Sequence, residues 1–156
     1  MFALDNNIKK PFVLAVVGPT ASGKTAMGIR LAKELDGEII SADSMQIYKG
    51  MDIATAKPTA DEMQGIPHHL IDFLARNEAF SVADYVSLAN EKITDIISRG
   101  KLPIIVGGTG LYISSLLDNI KFSESRNDES YRKELTEYAQ KYGNEALHAR
   151  LAEIDK

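Results

Sequence analysis

Six apolar residues run without a break from Phe12 to Val17 and stop at Gly18-Pro19-Thr20-Ala21-Ser22-Gly23-Lys24-Thr25. A short β-branched apolar run bounded by glycine and proline is the pattern of a strand covered on both faces, as in a parallel sheet. The eight residues that follow fit G-x-x-x-x-G-K-[ST]. From background frequencies, a chance match in a chain of 156 residues is roughly 1 in 200. The fit has a mechanism. Backbone N–H groups freed by glycine wrap a phosphate at the positive end of a helix. Lys24 adds a point charge on the phosphate oxygens, and the Thr25 hydroxyl is placed to ligate Mg²⁺. The competing reading is an incidental glycine-rich turn before a helix. The loop announces a phosphate or diphosphate, most often on ATP or GTP, without announcing the reaction.

The rest of the chain alternates strand and helix. Gly23 to Leu35 reads as a helix stopped by Gly37, and Glu38 to Ala42 as a second strand. Asp43 to Pro67 holds Gly50, Pro58, Gly65 and Pro67 and reads as a long irregular excursion, a kind of loop that tends to be functional. His69 to Phe73 is expected as a third strand. Ser81 to Arg99 carries an apolar stripe of Val82, Tyr85, Val86, Ala89, Ile93, Ile96 and Ile97 behind a Ser81 cap, with Gly100 as its end. Leu102 to Val106 is a fourth buried strand, and Gly107-Gly108-Thr109-Gly110 opens a further helix. Residues 121–130 turn polar and read as a linker. Beyond it, Tyr131, Leu135, Tyr138 and Tyr142, then Leu147, Leu151 and Ile154, mark two amphipathic helices whose apolar faces need a partner. The tyrosine stripe reads as helix core rather than a base-stacking platform. This order is that of an α/β parallel sheet flanked by helices.

Composition narrows the setting. Lys and Arg number 18 against 22 Asp and Glu, a formal charge of −4, so charge alone does not select a nucleic-acid binder. The absence of Cys removes disulfides, thiolate metal sites and a Cys nucleophile. No apolar run approaches the roughly 20 residues of a membrane span. A soluble cytoplasmic protein is expected.

Two further motifs follow strand ends, where ligands sit in an open parallel sheet. Asp43-Ser44-Met45-Gln46 begins after the second strand. The Asp43 carboxylate could hold Mg²⁺ through water, accept a proton from a nucleophile, or simply cap a turn starting at Ser44. Gln46 could read a base edge, although a surface glutamine is the simpler outcome. Thr109 and the amides around it could hold further phosphate oxygens, or only serve tight strand-to-helix packing. His68-His69 does not suggest a metal, because neighbours on a strand face opposite ways. Lys57 either favours an anionic substrate or is merely exposed.

Taken together, GPTASGKT at 18–25, IISADSMQIYKGMDIATAKP at 39–58, GIPHHLID at 65–72, FSVADY at 80–85 and PIIVGGTGLYI at 103–113 resemble the tRNA dimethylallyltransferase (tRNA isopentenyltransferase) family. The motifs stand in the family's order and cover most of residues 12–117. The resemblance implies a P-loop NTPase-like, kinase-like fold with the start of a helical insertion domain. It implies transfer of a dimethylallyl group from dimethylallyl diphosphate to N6 of an adenosine beside the tRNA anticodon. Gly18, Pro19, Thr20, Ala21, Ser22, Gly23, Lys24 and Thr25 would bind the diphosphate, with Mg²⁺ on Thr25. Lys24, Thr109 and Asp43 would be catalytic, Thr109 on the bridging oxygen and Asp43 as the proton acceptor. Asp43, Ser44, Met45, Gln46, Thr109 and Arg132 would contact tRNA, Arg132 being otherwise a solvated residue of an amphipathic helix.

Family members are longer than this chain. The resemblance therefore implies a catalytic core over 1–122 that lacks a return strand, and the beginning of a tRNA-binding helical domain over 123–156. Residues 124–156 hold 8 acidic and 6 basic side chains, so no basic patch is visible there. A monomer carrying the donor site, with little transfer of its own, is expected. The competing functions are a small-molecule kinase using ATP, an adenylate prenyltransferase, and a nucleotide-binding module without catalysis. The kinase would want a Lys/Arg-rich lid, and none is evident between 117 and 156.

Overall fold

The structure, a computed structural model, describes residues 12–53, 55–118, 120 and 128–155. The chain divides into two units, Met1–Lys121 and Phe122–Lys156. In the first, β1 (Leu14–Val17), α1 (Lys24–Glu34), β2 (Gly37–Ala42), α2 (Ala60–Met63), β3 (His68–His69), α3 (Val82–Ser98), β4 (Leu102–Gly107) and α4 (Gly110–Leu117) follow in order. The four strands pair in parallel in the order β1-β4-β2-β3. Val17, Gly107 and Ala42 lie level at the carboxyl ends of their strands. The α/β sheet flanked by helices that the sequence implies is present.

Alternation along the strands sorts the core onto two faces. Ile39, Ile104 and Val106 pack with Ile29 and Ala32 of α1. Ile40 and Ile105 pack on the other face with Tyr85, Ala89 and Ile96 of α3 and with Tyr112 and Leu116 of α4. The Tyr85 and Tyr112 rings stack there at 4.1 Å. Helix α3 begins as the sequence indicates. The Ser81 hydroxyl accepts the Asp84 N–H, and Asp84 reaches back to the Ser81 N–H at 2.8 Å, a reciprocal cap.

Three expectations change. The third strand ends after His69, because Leu70 and Asp72 take left-handed φ values of 56° and 55° and turn the chain away. Asp72 is then free to accept from Gly50 N–H and Lys57. Lys57 is neither exposed nor turned to a substrate. Its side chain is 6% exposed, with Nζ 2.5 Å from Asp72, 2.9 Å from Asp52 and 2.8 Å from the Tyr48 carbonyl. The excursion from Asp43 to Pro67 is correspondingly more ordered than an irregular loop, with α2 and its Thr59–Glu62 capping box inside it.

In the second unit, α5 (Glu129–Tyr142) and α6 (Asn144–Ile154) form a hairpin turning at Gly143. Neither helix buries a residue, so the tyrosine stripe is not a closed core. Tyr131, Leu135, Leu147, Leu151 and Ile154 line an open apolar groove instead. Most of the expected linker, 121–127, lies outside the described residues.

Candidate functional site

The loop between β1 and α1 has the geometry that its glycines permit. Gly23 sits at φ +79°, a left-handed conformation that turns the chain into α1. Lys24 Nζ spans the loop to the Pro19 carbonyl at 2.5 Å. At the neighbouring strand end, a Cβ on Gly107 would overlap the Ala42 carbonyl, so glycine alone permits the close passage of β4 past β2. The next residue, Gly108, lies against the loop. A Cβ there would stand 3.3 Å from Gly18 O and 3.9 Å from Lys24 Nζ. The two glycine turns, 84 or more residues apart in sequence between Gly23 and Gly107, thus form one crevice.

Thr109 ties that crevice to the acidic turn. Its N–H donates to Ala42 O at 3.1 Å, and its Oγ1 accepts the Ser44 N–H at 3.0 Å and donates to Ser44 Oγ at 3.3 Å. Asp43 Oδ1 accepts from the Met45 N–H at 2.9 Å and the Gln46 N–H at 3.3 Å. One carboxylate oxygen therefore caps the turn, while Oδ2 has no partner among the described residues. Capping and chemistry need not exclude one another here.

Gln46 is half-buried rather than a surface residue. Its amide donates to the carbonyls of Thr55 at 3.1 Å and Ala56 at 3.4 Å, and its Oε1 accepts from Ser41 Oγ at 3.3 Å. Met45 stands 47% exposed beside it. Arg132 lies exposed on α5, in the second unit.

These elements enclose a cavity of about 500 Å³. Thr20 to Ala26, Asp43 and Gly107 line its phosphate-loop end. Ile29, Ile39, Ile71 and Val106 give it an apolar floor, and Ser41, Gln46, Thr55 and His68 a polar side. His68 and His69 face opposite ways, as strand geometry requires. His68 lines the cavity, whereas His69 Nε2 meets Glu38 at 2.8 Å.

Sequence reasoning missed Glu38, which it took as an ordinary start of β2. Its side chain is 3% exposed and is held bidentately by Arg99, with Lys101 at 3.4 Å. The Arg99 hydrogen bonds, with those of His69 and Lys101, outweigh burial and pull the Glu38 carboxyl down to about 2. A glutamate opening a strand immediately after a helix stop was the available signal, and it is a weak one. The network lies at the amino end of β2, away from the crevice, and serves the fold.

The family model described as IPP transferase matches residues 46–156. A tRNA dimethylallyltransferase of Bacillus subtilis is 57% identical over 150 residues, 96% of this chain and 48% of that protein. Among solved structures, a full-length tRNA isopentenylpyrophosphate transferase from Bacillus halodurans superposes with a TM-score of 0.73 at 53% identity, covering 94% of this chain and 48% of that one. A eukaryotic dimethylallyltransferase acting on tRNA gives a TM-score of 0.65 at 31% identity, covering 84% and 36%. The chain spans about half the length of the curated relatives it matches.

Proposed function

Because the chain belongs to the IPP transferase family, we propose that it carries the donor-binding half of a tRNA dimethylallyltransferase. The reaction moves a dimethylallyl group from dimethylallyl diphosphate to N6 of an adenosine beside the tRNA anticodon. One observation supports this above the others: the phosphate loop and an apolar floor belong to a single cavity. The diphosphate would lie in Gly18 to Thr25, and the five-carbon tail against Ile29, Ile39, Ile71 and Val106. An apolar floor offers little to the ribose of ATP, which disfavours the kinase reading.

The chain's residues then divide the work. The allylic C–O bond breaks and its electron pair leaves on the diphosphate, where Lys24 and the loop amides stabilise the growing charge. Thr109, oriented by Ser44, would contact the bridging oxygen. The N6 lone pair forms the new C–N bond, and the amine proton passes to Asp43, whose unpartnered Oδ2 is the oxygen available to take it. Asp43 to Gln46, Thr109 and Arg132 would contact tRNA. For Gln46 this means exchanging its bonds to Thr55 and Ala56 for a base edge.

Mg²⁺ fits this donor set. Thr25 would bring its hydroxyl oxygen to the metal at the phosphate-loop end of the cavity, and no group of three or more His, Cys, Asp or Glu gathers among the described residues. Mg²⁺ keeps much of its shell as water and substrate phosphate, so few protein ligands are needed. When bound it neutralises charge on the departing diphosphate. No helix among the described residues is long and apolar enough to cross a membrane. A cytoplasmic monomer working on tRNA is part of the same reading.

The test uses prenyl-labelled dimethylallyl diphosphate, Mg²⁺ and tRNA, with AMP in parallel, and a polypeptide of the relatives' length that contains this sequence. Label in tRNA supports the proposal. Label in AMP alone assigns a free-nucleotide acceptor, and label in neither contradicts both.

A further inference from the structure

The Gln46 side chain is oriented by a ring of contacts that closes behind the cavity wall. Its amide donates to Thr55 O at 3.1 Å and to Ala56 O at 3.4 Å, and its Oε1 accepts from Ser41 Oγ at 3.3 Å. Carbonyls only accept, so a reversed amide would set oxygen against oxygen at both contacts. Where the Thr55 and Ala56 carbonyls stand therefore decides how the amide faces.

The backbone of that segment is one that needs holding. Ala56 takes a left-handed φ of 47°, which an alanine keeps only where its surroundings impose it. The Thr55 hydroxyl donates to Met51 O and secures Thr55 locally. Lys57 supplies the longer anchor. Its N–H donates to Asp52 O at 3.3 Å, and its side chain returns to Tyr48 O at 2.8 Å, two residues after Gln46. The ammonium also meets Asp72 Oδ1 at 2.5 Å and Asp52 Oδ1 at 2.9 Å. Asp72 closes the ring, because its own N–H donates to Gln46 O at 2.9 Å. One buried amine thus fixes the segment that carries the two carbonyls against the segment that carries the amide. Gln46, Thr55 and Ala56 line the cavity, while the Lys57 side chain points into the ring behind them.

We propose, resting on the prenyl-transfer reading above in which Gln46 meets the acceptor base, that Lys57 is a positioning residue for the tRNA acceptor, holding the Gln46 amide in one orientation through Thr55 and Ala56 before the base arrives. A side chain fixed in advance loses less freedom on binding, so the effect falls on acceptor affinity. Among the described residues no hydrogen bond of this ring reaches Gly18 to Thr25, so donor affinity is left as it is.

The experiment measures prenyl transfer from dimethylallyl diphosphate to tRNA, with Mg²⁺, in a polypeptide of the relatives' length that contains this sequence. Lys57→Met, Gln46→Ala and the double variant are compared, with melting curves to establish folding. Lys57→Met is expected to raise KM for tRNA about tenfold and to leave KM for the donor within about twofold. In the Gln46→Ala background the same change should add less than about twofold, because the amide it positions is gone. If Lys57→Met does not fold, Asp72→Asn, which weakens the same ring from a half-exposed residue, is put through the same cycle with a smaller rise expected. Lower turnover with both KM values unchanged, equal rises in both, or a full tenfold effect that persists without Gln46 overturns the inference and leaves the prenyl-transfer reading standing. No transfer by the unaltered polypeptide overturns that reading and the inference with it.

Discussion

Thr109 Oγ1 accepts the Ser44 N–H at 3.0 Å and returns its own hydrogen to Ser44 Oγ at 3.3 Å. This exchange joins the turn after β4 to the turn after β2, and with it two of the three residues proposed for catalysis, Thr109 and Asp43. Thr109→Val removes both bonds and leaves a part-buried N–H without an acceptor. A loss of about 1–2 kcal/mol in denaturant unfolding is expected, whereas Thr109→Ser should stay within about 0.5 kcal/mol. A larger loss in Thr109→Ser than in Thr109→Val would show that the methyl packing, not the hydroxyl, holds the turns together.

Asp43 gives a kinetic prediction. If Oδ1 caps the turn and Oδ2 takes the amine proton, Asp43→Asn keeps an acceptor for Met45 and Gln46 but loses the base. In a polypeptide competent for transfer, turnover should fall by about a hundredfold or more, with donor affinity changed far less. Parallel losses in turnover and affinity would assign Asp43 to binding instead.

The amino-end network predicts an acid limit. Glu38 is held at about 2 in the folded chain against an ordinary 4.5, so its pairing contributes stability above the unfolded value. That contribution is lost as pH falls from about 4.5 through about 2. Its ceiling is roughly 3 kcal/mol at neutral pH, lessened because Arg99 and Lys101 stand partly in solvent. Unfolding measured between pH 6 and pH 3 should show the decline, and Glu38→Gln should flatten it. A profile that Glu38→Gln leaves unchanged would move the acid sensitivity to other carboxylates.

How much of this could be read in advance depends on whether the signal is local. The strand-loop-helix at Phe12 to Leu35 and the Ser81 cap rest on neighbours in sequence, and both stand as read. The joining of Gly108 to Gly18 and Lys24 follows once the strands are parallel, because the carboxyl ends must then lie together. Lys57 and Glu38 were illegible for the opposite reason. Lys57 is buried by Asp72, 15 residues on, and Glu38 by Arg99, 61 residues on. No spacing rule reports a charge pair made across a loop or a sheet. The third strand failed similarly, since nothing in an apolar pentapeptide reveals that Leu70 and Asp72 adopt positive φ.

Lys57 therefore supplies a stability test of its own. Lys57→Ala removes a buried donor from the Tyr48 carbonyl and from two carboxylates that are themselves more than half exposed, and should cost about 1–2 kcal/mol in unfolding. The nearby exposed Lys49→Ala should cost no more than about 0.5 kcal/mol. A small loss at Lys57 would mean that the excursion from Asp43 to Pro67 is held by other contacts.

The central claim is that the cavity is built for a diphosphate with an apolar tail. Calorimetric titration of the chain with dimethylallyl diphosphate and with ATP, each with Mg²⁺, tests it directly. The account predicts measurable binding of dimethylallyl diphosphate, weaker or no binding of ATP, and loss of donor binding by tenfold or more in Lys24→Ala. ATP binding in preference to the prenyl diphosphate, abolished by the same Lys24→Ala, would contradict it.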